Sequence, residues 1–484
     1  MSEPRGFEID ADTMRQMGYR VVDALVAREL GLDAEPVWRG ATRPELEAKL
    51  REAVPSEAET FDRIMGQLLD DALVYGARVD HPRFLAYVPG SPTWPAVLAD
   101  FVAAGLNVFQ GSWLGGAGAS EIELIVLDWF KEWLGYPSSA AGLFLSGGSA
   151  ANLTALACAR LARCGAHSTA SVLYGSVEVH SSATRAARVL GFADDRVRRI
   201  PVDTRQRLDV CALEAALQAD REAGLVPLAV VANAGATSTG AIDPLPELVD
   251  LCRRHDVWLH VDAAYGGFAV LTERGRAAMR GLEYADSITL DPHKWLFQPF
   301  EAGCLLVRDG AHLDDGFHIS ADYLQDARIT DSQLRERRVN FMDRGIQLTR
   351  CARALKVWVS LKYFGVEPFR AAIDLALDLA EHTERRIVDS AEFELITPAA
   401  LGIVCFRRVT GPDGTRITDR IALGDWNERL VNALAASGEG MISSTRVDGA
   451  YALRVCILSH RTRQSDVDRV LDWLATAQPE SGSV

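Results

Sequence analysis

The sequence predicts an α/β protein built on a mainly parallel sheet, and two observations carry that expectation. Short apolar runs alternate with helical patterns from about Phe84 to Gly365, and several of those runs end directly in polar or glycine residues. Ligands bind such sheets outside the carboxyl ends of the strands, so chemistry is expected at those run ends. With 484 residues, 48% hydrophobic and 24% charged, the chain has the composition of an ordinary globular protein and ample material for a core.

Taken in order, Asp12 to Glu29 sets Met14, Met17, Val21 and Leu25 at helical spacing, a helix that must bury one stripe against something. A stretch rich in proline and acids follows from Glu35 to Glu59, then a second helical pattern near Phe61 to Tyr75. Residues 1–83 therefore read as a helical arm able to pack on a partner subunit. Residues 84–365 form the large domain, with strands expected at 142–145, 228–231, 257–261, 287–290 and 303–307. Residues 366–484 read as a smaller α+β domain: a long helix pattern, strand-like runs at 401–406 and 453–458, and a last helix. In that helix Val467, Val470, Leu471 and Leu474 share one stripe, with Ser465 the expected N-cap.

Charge narrows the function classes. The net charge of -15, from 66 acidic and 51 basic residues, disfavours attraction to nucleic acid or anionic lipid. The start Met-Ser-Glu-Pro-Arg lacks the apolar core of a signal peptide and no apolar run is long enough for a membrane span, so a cytoplasmic location is expected. The eight cysteines, from Cys158 to Cys456, show no C-x-x-C spacing and read as buried small hydrophobes. There is no H-E-x-x-H, and His255 and His260 straddle an apolar run, so no catalytic metal is expected.

Three motifs carry chemistry. Asp291-Pro292-His293-Lys294-Trp295 follows the run Ser287 to Leu290 and sets a lysine at a strand end beside an aromatic ring, where partial desolvation would free its amine for Schiff-base chemistry. Alone, Lys294 reads as a solvated loop lysine, since most lysines are solvated surface charges. In His260-Val261-Asp262-Ala263-Ala264-Tyr265-Gly266-Gly267 an apolar run delivers a carboxylate about one strand-helix-strand unit before that lysine. Asp262 there suits a pyridine nitrogen, which needs an anion to stay protonated, or else simply caps the next helix. In Leu145-Ser146-Gly147-Gly148-Ser149-Ala150-Ala151-Asn152 a strand runs into glycines and a helix start, which together cradle an anion such as phosphate. A plain helix-opening turn is the competing reading, and neither nucleotide-binding glycine pattern is present.

In this order, with His180 between the glycine loop and Asp262, the motifs resemble the group II pyridoxal phosphate decarboxylases, the family of aromatic L-amino acid decarboxylase. The resemblance covers almost the whole chain. It includes Phe84-Leu85-Ala86-Tyr87 with Trp94-Pro95-Ala96, the run Glu121 to Leu134, Val179-His180-Ser181-Ser182, and Arg353-Ala354-Leu355-Lys356-Val357-Trp358. It implies fold type I, a homodimer with a swapped N-terminal arm, and pyridoxal 5'-phosphate held as a Schiff base on Lys294. By position Gly148 and Ser149 hold the phosphate, with Asp291 nearby where many relatives have asparagine. Thr237 matches a cofactor-contacting threonine and His180 the histidine stacked on the pyridine ring, while Ala264 and His293 complete the cofactor set.

The same resemblance implies decarboxylation of an amino acid to its amine and carbon dioxide, with Tyr323 as the loop acid that returns a proton to Cα. Tyr87, Pro89 and Trp113, with His180, match the substrate pocket and suit an aromatic side chain. Val88 and Gly111 stand where aromatic-specific relatives commonly carry phenylalanine, which implies a wider pocket. A non-aromatic substrate, an aldehyde-forming oxidative outcome, or a non-catalytic binding protein on the same fold are the alternatives. Tyr323 argues against aldehyde formation, because relatives of that kind usually carry phenylalanine there.

Overall fold

A computed structural model of the chain describes residues 6–88, 90–164, 170–318, 322, 324 and 338–479. Seven strands form the central sheet: β1 (Ala141–Leu145), β2 (Ser171–Ser176), β3 (Val197–Ile200), β4 (Val226–Asn233), β5 (Trp258–Asp262), β6 (Ser287–Leu290) and β7 (Gly303–Val307). Their order across the sheet is β1-β7-β6-β5-β4-β2-β3. Strand β7 runs antiparallel to both β1 and β6, and the remaining pairs are parallel. The carboxyl ends of β1, β2, β4, β5 and β6 therefore share one edge. Strands β1, β5, β6 and β7 are buried over nearly their whole length, as expected of a sheet covered on both faces.

The expected runs at 287–290 and 303–307 are strands with those bounds, and those at 142–145, 228–231 and 257–261 are strands within two residues. Strands β2 and β3 were not expected. Three expectations need correction. Ser465 is not the cap of the last helix, which spans Gln464–Thr476 with Arg463 at the N-cap, because the Asp466 carboxylate accepts the Arg463 N–H at 3.0 Å. The cysteines are not uniformly buried, since Cys211 and Cys351 are exposed. Finally, Phe84–Leu85 does not belong to the large domain's sheet. It pairs in parallel with Met441 and Ile442 and so completes the C-terminal five-stranded sheet, where both side chains are buried.

In the arm, Asp10 caps a helix over Ala11–Gly31 by accepting the N–H groups of Asp12 and Thr13. That helix has no buried residue in the single chain. The second arm pattern is a short helix, Phe61–Gly66, that runs on as a wider turn over Gln67–Ala72. A wholly buried ion pair, Arg350 to Glu123 at 2.7 Å, braces the end of β1: Arg350 also donates to the Phe144 carbonyl, and Glu123 accepts the Phe144 N–H. The glycine loop leaves the sheet directly beyond this brace.

Candidate active site

At the carboxyl edge of the sheet lies a cavity of about 300 Å³, lined among others by Gly148, Ser149, His180, Thr237, Asp262, Ala264, Asp291, His293 and Lys294. Every residue that the sequence places around a cofactor thus meets in one space. Asp262 is the last residue of β5, and Asp291 follows the last residue of β6. Lys294 sits on the turn after Pro292, its Nζ 3.1 Å from Asp291 Oδ2. Behind it Trp295 is fully buried and stacks on Tyr265 at 5.8 Å between ring centroids, so the lysine backbone has an apolar floor. Gly90 lets a neighbouring segment close over this turn, since a Cβ there would fall 2.2 Å from the Lys294 carbonyl oxygen.

The glycine loop has the form of an anion cradle. Gly147 has φ +157°, and Gly148 opens the Gly148–Cys164 helix; the Ala150 and Ala151 N–H groups donate to the Gly147 carbonyl, and those of Gly148 and Ser149, which precede them, have no acceptor within the helix. A Cβ on Gly148 would sit 3.1 Å from both the Ala264 Cβ and Asp291 Oδ2, so any side chain there would crowd the cradle. Asp291 keeps one oxygen, Oδ1, buried without a hydrogen-bond partner among the described residues. Its other oxygen faces Lys294 and lies 3.5 Å from His293 Nε2, while His293 Nδ1 contacts the Ala302 carbonyl at 2.6 Å.

Asp262 is held from two sides, by the Ala264 N–H at 3.2 Å and by Asn152 Nδ2 at 2.7 Å. His180 caps the Ser181–Val189 helix, with Nδ1 2.8 Å from Ser182 Oγ. Desolvation draws the His180 pKa below the ordinary histidine value against the opposing pull of Asp262, and burial does the same to His293. Thr237 is fixed through its backbone: Arg454, from a strand of the five-stranded sheet, donates to the carbonyls of Thr237 at 2.8 Å and Tyr87 at 3.0 Å. Arg454 was not expected from the sequence, and neither were Asn152 and His260, which lie within quoted motifs but gave no signal of their own.

The substrate residues come together less well. Tyr87 is 59% exposed and Trp113 opens the Trp113–Leu134 helix, its N–H bonded to Asn340; neither lines the cavity, although Val88 does. Gly111 does not widen a pocket. A Cβ there would lie 2.5 Å from the Phe109 ring and 2.4 Å from the Leu348 carbonyl oxygen, so the space is already filled. Pro89 and Tyr323 lie outside the described residues.

A lysine amine, a carboxylate held by hydrogen bonds, a histidine ring and a glycine-opened helix start are the donor set that pyridoxal phosphate requires, and the Gly148 cradle leaves room for its phosphate. Comparison with known proteins agrees with this chemistry. The family model described as the pyridoxal-dependent decarboxylase conserved domain matches residues 44–409. An aromatic-L-amino-acid decarboxylase of Bacillus atrophaeus is 41% identical over 97% of this chain and 96% of its own length. An L-2,4-diaminobutyrate decarboxylase of Rhizobium meliloti is 37% identical over 84% of this chain and 80% of its own. Among solved structures, that of Oryza sativa TDC with PLP and tryptamine superposes with a TM-score of 0.91 at 28% identity, covering 98% of this chain and 99% of that one. The chain belongs to the group II pyridoxal phosphate-dependent amino acid decarboxylases, with fold type I architecture.

Proposed function

We propose that this protein decarboxylates an aromatic L-amino acid to the corresponding amine and carbon dioxide, and that it does so as a cytoplasmic homodimer. The observation that carries the site assignment is the convergence of Lys294, Asp262, His180 and the Gly148 helix start on one cavity. When bound, pyridoxal phosphate supplies a ring that accepts the electron pair released as the Cα–carboxylate bond breaks. Lys294 offers the amine that holds the cofactor, and Asp262 the negative charge that keeps its ring nitrogen protonated. Gly148 and Ser149 present first-turn amides to the phosphate, with Thr237, Ala264, Asp291 and His293 lining the remaining walls. His180 supplies a flat neutral ring face, and Tyr323 the acid that returns a proton to Cα.

Aromatic specificity draws support from the Bacillus relative, whereas the Rhizobium relative keeps a small cationic substrate in view. A screen of purified protein against tryptophan, tyrosine, phenylalanine, dopa and 2,4-diaminobutyrate, scoring carbon dioxide and amine, decides between them. Turnover of diaminobutyrate alone would overturn the aromatic reading. The dimer draws support from large exposed apolar side chains on two helices, among them Met14 on Ala11–Gly31 and Leu98, Phe101, Val102 and Leu106 on Trp94–Leu106. Eight unpaired thiols suit a reducing compartment.

A further inference from the structure

Beneath the cavity floor a set of polar side chains joins two strands, β5 and β6, and two helices, Gly148–Cys164 and Ser181–Val189, and Asn152 stands at its centre. We propose that Asn152 is a positioning residue: through a single side-chain amide it sets both the orientation of the Asp262 carboxylate and the tautomer of His180. The inference rests on the assignment of those two residues to the cofactor site.

The direction of every bond follows from the carboxylate. Ionised Asp262 only accepts, so the Asn152 atom 2.7 Å from its Oδ2 is Nδ2, and Asn152 Oδ1 must face the other way. Two groups meet that oxygen, Thr289 Oγ at 2.7 Å and His260 Nε2 at 3.0 Å, and both must donate to it. His260 is fully buried, and desolvation lowers its pKa to about 4, so the ring is neutral and carries its one proton on Nε2. Nδ1 is then an acceptor. The Ser287 hydroxyl, 2.8 Å away, donates to it and in turn accepts from Trp258 Nε1 at 2.8 Å. Reversing any one of these bonds would leave a buried group unpaired.

The second Nδ2 hydrogen of Asn152 goes to Ser182 Oγ at 2.8 Å. Ser182 therefore has its own proton free for His180 Nδ1 at 2.8 Å, and its backbone N–H approaches the same nitrogen at 3.3 Å. Two donors on Nδ1 leave the proton of the neutral His180 ring on Nε2. The chain of donors that begins at Trp258 thus ends in a fixed N–H on a residue that lines the cavity. Asn152 is the one side chain shared by this chain and by Asp262, so its loss disturbs both at once.

The test uses three substitutions. Asn152→Leu removes every bond of the amide at similar volume, Asn152→Asp keeps its shape but removes both donors, and Ser182→Ala cuts only the arm that leads to His180. In protein labelled with ¹⁵N-histidine and freed of cofactor, the imidazole shifts report the tautomer directly, with His180 assigned through a His180→Gln spectrum. Wild type is expected to show His180 as the Nε2–H tautomer, and Asn152→Leu and Ser182→Ala a mixture of both. The Kd for pyridoxal phosphate should rise about ten- to a hundredfold in both Asn152 variants and less in Ser182→Ala. Should Asn152→Leu not fold, Asn152→Asp and Ser182→Ala carry the same two readouts. An Nδ1–H tautomer in wild type, or folded Asn152 variants with unmoved spectrum and cofactor affinity, would overturn the proposal. Lys294→Ala separates the two levels: turnover retained there sinks the site assignment itself, whereas turnover lost there with unmoved Asn152 variants sinks only the role of Asn152.

Discussion

At the scale of single residues the site turns on Lys294. Its side chain is 15% exposed and it forms an ion pair with Asp291, which is buried. Lys294→Ala should therefore do two separable things. It should abolish turnover and the visible absorbance of bound cofactor, because no other lysine among the described residues lines the cavity. In cofactor-free protein, where the amine is free to pair, it should also lower stability by about 3 kcal/mol, since Asp291 is left buried without its cation. Absorbance spectra and urea unfolding measure the two effects, and the double variant Lys294→Ala with Asp291→Asn should recover much of the stability and none of the activity. A single variant that still makes amine at the wild-type rate would remove Lys294 from the mechanism. His293 behaves differently, as its contacts run to Ala302 and Asp291 and its pKa is lowered by burial, which marks it as part of the wall.

At the scale of elements, the legible strands are those whose apolar run stops at a polar or proline signal. Ser287 to Leu290 stops at Asp291-Pro292, and Trp258 to Asp262 stops in small residues, so both strand ends and their functional residues were visible together. Strand β2 carries a glycine within Ser171–Ser176, and β3 reads Val-Arg-Arg-Ile, a charged edge strand; neither has the pattern of a buried run. The pairing of Phe84–Leu85 with Met441 and Ile442 joins segments far apart in the chain, which local periodicity cannot report. The network around Asn152 was hidden for the same reason, because its members come from four separate elements. It yields a pH prediction. His260 has a folded pKa of about 4 against an ordinary 6.5, so on acidification the unfolded chain takes up the proton first. Its stabilising contribution is complete above about pH 6.5 and is lost as pH falls toward 4, by about 3 kcal/mol in all. Asp243, pushed up to about 6 by burial, acts in the opposite sense, so only the difference between wild type and His260→Gln isolates the histidine. That difference, from urea unfolding between about pH 7 and 4.5, should narrow with acidity; a constant difference would mean that His260 is not held neutral. Tyr323 supplies the other prediction on this scale. If it protonates Cα, Tyr323→Phe still releases carbon dioxide but consumes oxygen and yields aldehyde, ammonia and hydrogen peroxide in place of amine, and amine formed at the normal rate without oxygen uptake would exclude that role.

For the whole molecule the question is what covers the arm. The helix Ala11–Gly31 is tied to the body by Arg28 to Asp80 at 2.5 and 2.8 Å and by Glu29 to Arg461, yet it buries no residue of its own. Between it and the helix Trp94–Leu106 lies an almost wholly apolar groove of about 340 Å³, lined by Met14, Met17, Val21, Leu98 and Phe101 among others. Phe101 remains 64% exposed and Leu106 69%. Ion pairs place the arm, but burying its stripe requires a second surface, and a second copy of this chain offers the same stripe about a two-fold axis. Withdrawing one large apolar side chain costs about 1.5 to 3 kcal/mol, and a two-fold interface withdraws each twice, so Phe101→Asp should lose at least about 3 kcal/mol of association. That corresponds to a Kd raised by roughly a hundredfold or more. Light scattering during gel filtration measures it: wild type should run at twice the 52.7 kDa chain mass at micromolar concentration, and Phe101→Asp should dissociate on dilution at concentrations where wild type does not. A wild-type protein that runs as a monomer while turning over substrate would refute the dimer, and an unchanged mass for Phe101→Asp at every dilution would place the interface on some other face.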